Sequence, residues 1–131
     1  MNARQPIALF DQFAKLRFLE NRTPDMSSEE REEAFARLCG YRDGALFVGY
    51  YAGNSEWERH PQGDEIVLVL EGSTTLYLLS GDEDEPVALY QGDLFVVPRN
   101  HWHRFETPDG VKIMTVTPHP TQHSLDRPQA P

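Results

Sequence analysis

The sequence predicts a mainly β domain, a sandwich or barrel, with helices ahead of it. Three observations carry this. From Tyr41 onward, short runs rich in Val, Leu, Tyr, Phe and Thr recur between Gly, Pro, Asp and Asn, the punctuation of strands and tight turns. Helical periodicity is present before Tyr41 and absent after it. The 131 residues, 39% hydrophobic, 11% aromatic and 25% charged, have the proportions of one globular domain that buries its core without disulfides or a structural metal.

Ile7, Phe10, Phe13, Ala14 and Leu16 recur at three- and four-residue steps, so a first helix is expected over 7–19. Thr23-Pro24-Asp25 ends it, because Pro24 drives the residue before it out of the helical region. A second helix is expected over 27–40. Ser27 and Glu30 are spaced as a reciprocal capping box, Glu29, Glu30, Glu32 and Glu33 suit a positive helix N-terminus, and Gly40 suits a left-handed end. Cys39, the only cysteine, reads as a small buried or helix-end residue, and its lack of a disulfide partner agrees with a reducing compartment.

Eight strands are expected, over 45–51, 56–60, 65–70, 74–79, 87–89, 94–97, 102–106 and 111–117, a spacing that means a sandwich or barrel. The run Ile66-Val67-Leu68-Val69-Leu70 is apolar at every position, so both of its faces must be covered. One can face an interior; the other needs the N-terminal helices or a second copy of the chain. With Leu76 and Leu78 nearby, this predicts a homodimer. The acidic stretch from Gly81 to Pro86 reads as a solvated turn. Pro118, Pro120, Pro128 and Pro131 predict an irregular tail with His119 and His123 in solvent. The organisation is then a helical arm over 1–44, a strand domain over 45–117 and a tail over 118–131.

Charge excludes several functions. With 21 Asp and Glu against 12 Lys and Arg, the formal net charge is −9, which opposes binding to nucleic acid or to anionic membrane surfaces. No apolar run approaches the ~20 residues of a bilayer span. The stretch Met1 to Phe10 lacks the basic and apolar regions of a secretory signal, so a cytoplasmic location is expected.

Two segments carry chemistry. In Glu58-Arg59-His60 the outer residues share one side of a strand, and the turn Pro61-Gln62-Gly63-Asp64 can return Glu65 beside them. In Gly92-Asp93-Leu94-Phe95-Val96-Val97-Pro98-Arg99-Asn100-His101-Trp102-His103, a strand and a Pro-led turn deliver His103 at the start of another strand. Two imidazoles with one or two carboxylates form a ligand set suited to iron, manganese, nickel or zinc; the alternative is a pair of buried or pocket-lining histidines. His101 lies in the turn and reads as a rim residue. Tyr51 and Phe105 have the parity to line a pocket, and of the arginines Arg99 is the one placed to meet an anionic substrate.

These segments resemble the paired motifs of the cupin superfamily. Gly53, Glu58-x-His60, Glu65 after four intervening residues and Gly72 after six match the first motif, with Glu58 in place of the family's first histidine. Gly92, Pro98 and His103 match the second, with Asn100 where the family has a glycine. The resemblance covers roughly 45–117. It implies a double-stranded β-helix, or jelly-roll barrel, outside which the two expected N-terminal helices would pack, and a divalent transition metal held by Glu58, His60, Glu65 and His103. The function it implies is action on a small organic molecule, of oxygenase or isomerase type; the alternative is a module that binds or senses a small molecule without turnover.

Overall fold

A computed structural model describes residues 5–129; the outermost parts of the expected arm and tail, 1–4 and 130–131, lie outside the described residues. The chain is mainly β. Among the described residues a single α-helix, α1 (Leu9–Ala14), is followed by β1 (Leu19–Arg22), β2 (Phe35–Tyr41), β3 (Gly44–Asn54), β4 (Trp57–Arg59), β5 (Glu65–Leu78), β6 (Glu85–Tyr90), β7 (Leu94–Val97), β8 (His103–Pro118) and β9 (Gln122–Ser124). All nine strands belong to one sheet. Strand β8 lies between β3 and β5 along most of its length, β5 carries β6 and β7 on its far edge, and β3 carries β1 and β2 on its own. Among the described residues the sheet does not close on itself.

The expected pair of N-terminal helices is not borne out. The first is cut to Leu9–Ala14, because the Arg17 N–H donates to the Glu33 carbonyl at 2.8 Å instead of continuing the helix, and Leu19–Arg22 then runs parallel to β3. The second is replaced by one 3-10 turn, Glu32–Ala34, and strand β2. The local signal itself is real: the Glu30 N–H donates to Ser27 Oγ at 3.2 Å and the Ser27 N–H to Glu30 Oε1 at 3.3 Å. A cap contributes only ~1 kcal/mol. Strand β2 gains a ladder with β3 from Phe35 to Tyr41, stacks Phe35 on Tyr51 and buries Leu38 against Phe13 and Val48. Gly40 accordingly lies within β2 rather than at a helix end, and Cys39 is half-buried in the same strand.

Within the strand region the expectation of eight short strands errs by division. The strands expected over 65–70 and 74–79 merge into the continuous β5, which ends at Leu78, and those over 102–106 and 111–117 into β8, which begins at His103. Bends, not breaks, separate the halves. Gly72 has φ +80 and faces the Gly110 carbonyl so closely that a side chain has no room there, which is the backbone position glycine alone fills without strain. Strands β5 and β8 pair on both sides of this bend, with register shifts between Val69 and Glu71 and between Gly72 and Thr75.

The two faces of the sheet bury different clusters. The inner face holds Tyr51, Val67, Val69, Leu76, Leu78, Leu89, Val97, Phe105, Val111 and Ile113. On the outer face Phe13 of α1 joins Leu38 and Val48, with Leu70 and Met114 against them. The tail expected to be irregular contains β9, which pairs with β4 through Trp57 and Ser124, Glu58 and His123, and Arg59 and Gln122.

Candidate metal centre

His60 directly follows the short β4, Glu65 opens β5 and His103 opens β8. Two turns hold these starts together. The Asn100 N–H donates to the His60 carbonyl at 2.9 Å, with Asn100 at φ +61, a conformation asparagine tolerates better than most residues. The Arg99 N–H donates to Asp64 Oδ1 and its Nε to the Pro61 carbonyl, each at 2.7 Å. Arg99 thus staples the two motif turns from outside. It does not line the cavity described below, contrary to the expectation that it meets a substrate.

All three side chains are buried, His60 2%, Glu65 4% and His103 1% exposed. His103 Nε2 lies 3.1 Å from Glu65 Oε1, and His60 Nε2 lies 3.2 Å from Glu65 Oε2. Both imidazoles therefore aim the same ring nitrogen at opposite oxygens of one carboxylate. Their other nitrogens are held from behind: His103 Nδ1 is 3.0 Å from the His101 carbonyl and His60 Nδ1 is 3.0 Å from Thr121 Oγ1. Thr117 Oγ donates to Glu65 Oε2 at 2.7 Å and is itself bonded to Thr115 at 2.8 Å.

Glu58, expected among the ligands, is not in this group. The potential ligand atoms of His60, Glu65 and His103 lie within 4.8 Å of one another, whereas Glu58 falls in a second group with Glu56 and His123, where His123 Nδ1 is 2.7 Å from Glu56 Oε1. The pairing of β9 with β4 draws Glu58 and His123 together. His101 stays at the rim, with Nε2 3.3 Å from the Leu79 carbonyl. A cavity of about 270 Å³ adjoins the group, with Tyr51, Phe105, Glu58, Glu65, Thr117 and Thr121 among its walls, so Tyr51 and Phe105 do face it. Thr121 and His123 come from the tail and carry no recognisable spacing. Thr117 could have been read from its strand parity with Thr115.

The family model for the cupin domain matches residues 50–117. The chain belongs to the cupin family. Solved structures agree. A cupin-2 domain containing protein from Shewanella frigidimarina superposes with a TM-score of 0.66 at 19% identity, covering 86% of this chain and 94% of that one. A protein from Neisseria meningitidis gives 0.63 at 16% identity, covering 92% and 100%. Hydroquinone 1,2-dioxygenase from Sphingomonas sp. TTNP3, with 4-hydroxybenzoate bound, gives 0.53 at 15%, covering 66% and 64%. At these identities the likeness is one of fold. No curated protein sequence matches the chain.

The donor set of this cupin fits a divalent metal. A carbonyl only accepts, so His103 Nδ1 carries its proton toward His101, and the neutral ring presents a bare Nε2 to a carboxylate oxygen. Two acceptors at 3.1 Å require a positive charge between them, either a proton or a metal ion. His60 Nε2, despite its 3.2 Å approach to Glu65, is a buried polar atom without a hydrogen-bond partner, a position that is costly unless something fills it. Without a metal the proton takes that role. Burial opposes ionisation of Glu65, yet the hydrogen bond from His103 and the charges of His103 and His60, each about 3 Å from the carboxylate, hold its carboxyl down at about 2. Burial likewise opposes a charged His103, and its bond to Glu65 with the charges of Glu65 and Glu58 outweighs that, so its pKa is raised.

Proposed function

We propose that this cupin holds a divalent transition metal at His60, Glu65 and His103 and acts with it on a small organic molecule admitted to the adjoining cavity, in a reaction of oxygenase or isomerase type. The convergence of two imidazole Nε2 atoms on one buried carboxylate is the observation that supports this most. Two histidines and one carboxylate leave coordination positions open, a set suited to iron and also accessible to manganese, nickel or zinc. When bound, such an ion supplies Lewis acidity and, if redox-active, oxygen chemistry.

The chain's own residues do the rest. Thr117, the His101 carbonyl and Thr121 fix the orientation of Glu65, His103 and His60, the outer contacts on which metal affinity depends. Phe105, edge-on to His103 with ring centroids 6.1 Å apart, and Tyr51 supply apolar wall beside the site. The Glu58 carboxylate on the same wall is the group available to accept a proton from a bound molecule. The test is turnover of a panel of small thiols, keto acids and phenols, followed by oxygen uptake and product analysis. Activity that one of the four metals restores to chelator-stripped protein, and that His103→Ala loses, is the expected result. Binding without turnover across the panel would make the cavity a sensing module instead.

Dimerisation belongs to the same proposal. Leu70 and Met114 are covered by the α1 cluster. Leu94 and Val96 of β7, which pair with Leu68 and Ile66 on that face, remain 57% and 45% exposed. A second copy of the chain would cover them. Light scattering should report twice the 15.0 kDa of one chain, and Leu94→Glu should return it to the single mass; a wild-type value of 15.0 kDa would overturn this.

A further inference from the structure

Among the described residues Arg22 is the buried arginine, and it stands where no ion-pair partner explains it. It is 7% exposed and lines the same cavity as Glu65 and Phe105. Its guanidinium carbon sits 4.9 Å from the Phe35 ring centroid and 4.7 Å from that of Tyr51, while that of Arg31, half-buried, lies 5.9 Å from the Phe35 ring and Arg31 also lines the cavity. Among the described residues, neither arginine lies within ion-pair distance of a carboxylate. Of the two carboxylates on the cavity wall, Glu65 is held by His60, His103 and Thr117, and Glu58 lies beside Glu56 and His123 and outside ion-pair distance of either arginine.

A desolvated guanidinium is unfavourable without an anion, and the ring faces of Phe35 and Tyr51 offset that only in part. Its planar fork matches the two oxygens of a carboxylate. The apolar part of the wall is made by Phe35, Phe47, Phe105 and Ile113, which call for an apolar body on the ligand. The cavity volume of about 270 Å³ lies below the ~300–1,000 Å³ of pockets for drug-sized ligands, so the body is small. Resting on the reading of this cavity as the substrate site, we infer that the ligand is a small organic carboxylate, its carboxylate held by Arg22 and its apolar end directed to the metal group.

A competing reading makes Arg22 a latch that clamps β1 on β3 through the two rings. The two differ in what they predict for ligands. Pairs that differ only in charge are titrated by calorimetry: benzoate with benzamide, phenylacetate with phenylacetamide, and 3-methylbutanoate with 3-methylbutanamide. Each is run on chelator-stripped and on metal-loaded protein, with metal content measured separately. In at least one pair the carboxylate should bind tenfold or more tightly than its amide. Arg22→Met should abolish that preference, Arg22→Lys should retain part of it, and both should keep the metal stoichiometry of the wild type. Because the preference is read in the wild-type chain itself, a variant that fails to fold leaves the test intact. Equal affinities in all three pairs, or binding of none, would overturn the inference even where metal binds; a carboxylate preference in protein that takes up no metal would uphold it while the metal reading failed.

Discussion

Glu65→Gln should remove tight metal binding, weakening it about a hundredfold or more, since loss of an outer contact alone costs 10–100-fold and Glu65 is the carboxylate to which both imidazoles point. The same substitution should change the pH dependence of the metal-free protein. The Glu65 carboxyl is held at about 2 against an ordinary 4.5, so ionised Glu65 contributes stability above pH 4.5 that is lost as pH falls toward 2. At 1.36 kcal/mol per pKa unit this is ~3 kcal/mol, shared with the two histidines. From the other partner, the raised pKa of His103 means that stability is complete below 6.5 and is lost as pH rises past its folded value. The stability gap between wild type and Glu65→Gln should therefore be widest around pH 5–6 and close on both sides. Urea unfolding of chelator-stripped protein from pH 2.5 to 9 reads it directly, and a gap independent of pH would show that the buried carboxylate is not ionised against these histidines.

Gly53→Ala should cost ~3 kcal/mol or more, a large share of the 5–15 kcal/mol by which domains are stable. Gly53 has φ +114, and a Cβ there would run into the backbone of Arg22 in the paired strand β1. Backbone cannot swing aside as a side-chain tip can. The substitution adds left-handed strain of ~1–3 kcal/mol to the displacement of β1, and with it of Arg22. Gly81→Ala is the control: Gly81 also has positive φ, at +46, but nothing lies within 4 Å of its missing side chain, so it should cost ~1 kcal/mol. Similar urea midpoints for the two variants would contradict the close approach of β1 to β3.

The features that could be read from the sequence are those encoded by local pattern in the strand region. Strand β7 has the bounds expected of it, and His60, Glu65 and His103 arrive together because two Pro-led turns and strand parity bring them there. The N-terminal forty residues could not be read in the same way. Their caps and apolar steps are compatible with helix, and the partner that makes Phe35–Tyr41 a strand is β3, whose edge no local pattern announces. Glu58 stands apart from the group of His60, Glu65 and His103 for a similar reason: β9, hidden in a proline-rich tail, pairs with β4 and gathers Glu58 with His123. Arg22 escaped notice because only the parallel pairing of β1 with Gly53 carries a residue from the N-terminal segment into the cavity.

The central claim is that His60, Glu65 and His103 form one metal site, and elemental analysis of protein purified without chelator tests it most directly. The predicted result is close to one equivalent of iron, manganese, nickel or zinc per chain, falling to background in both His60→Ala and His103→Ala with the strand signature of the circular dichroism spectrum unchanged. Wild-type protein that remains empty after dialysis against all four metals, or variants that keep the full equivalent, would contradict it.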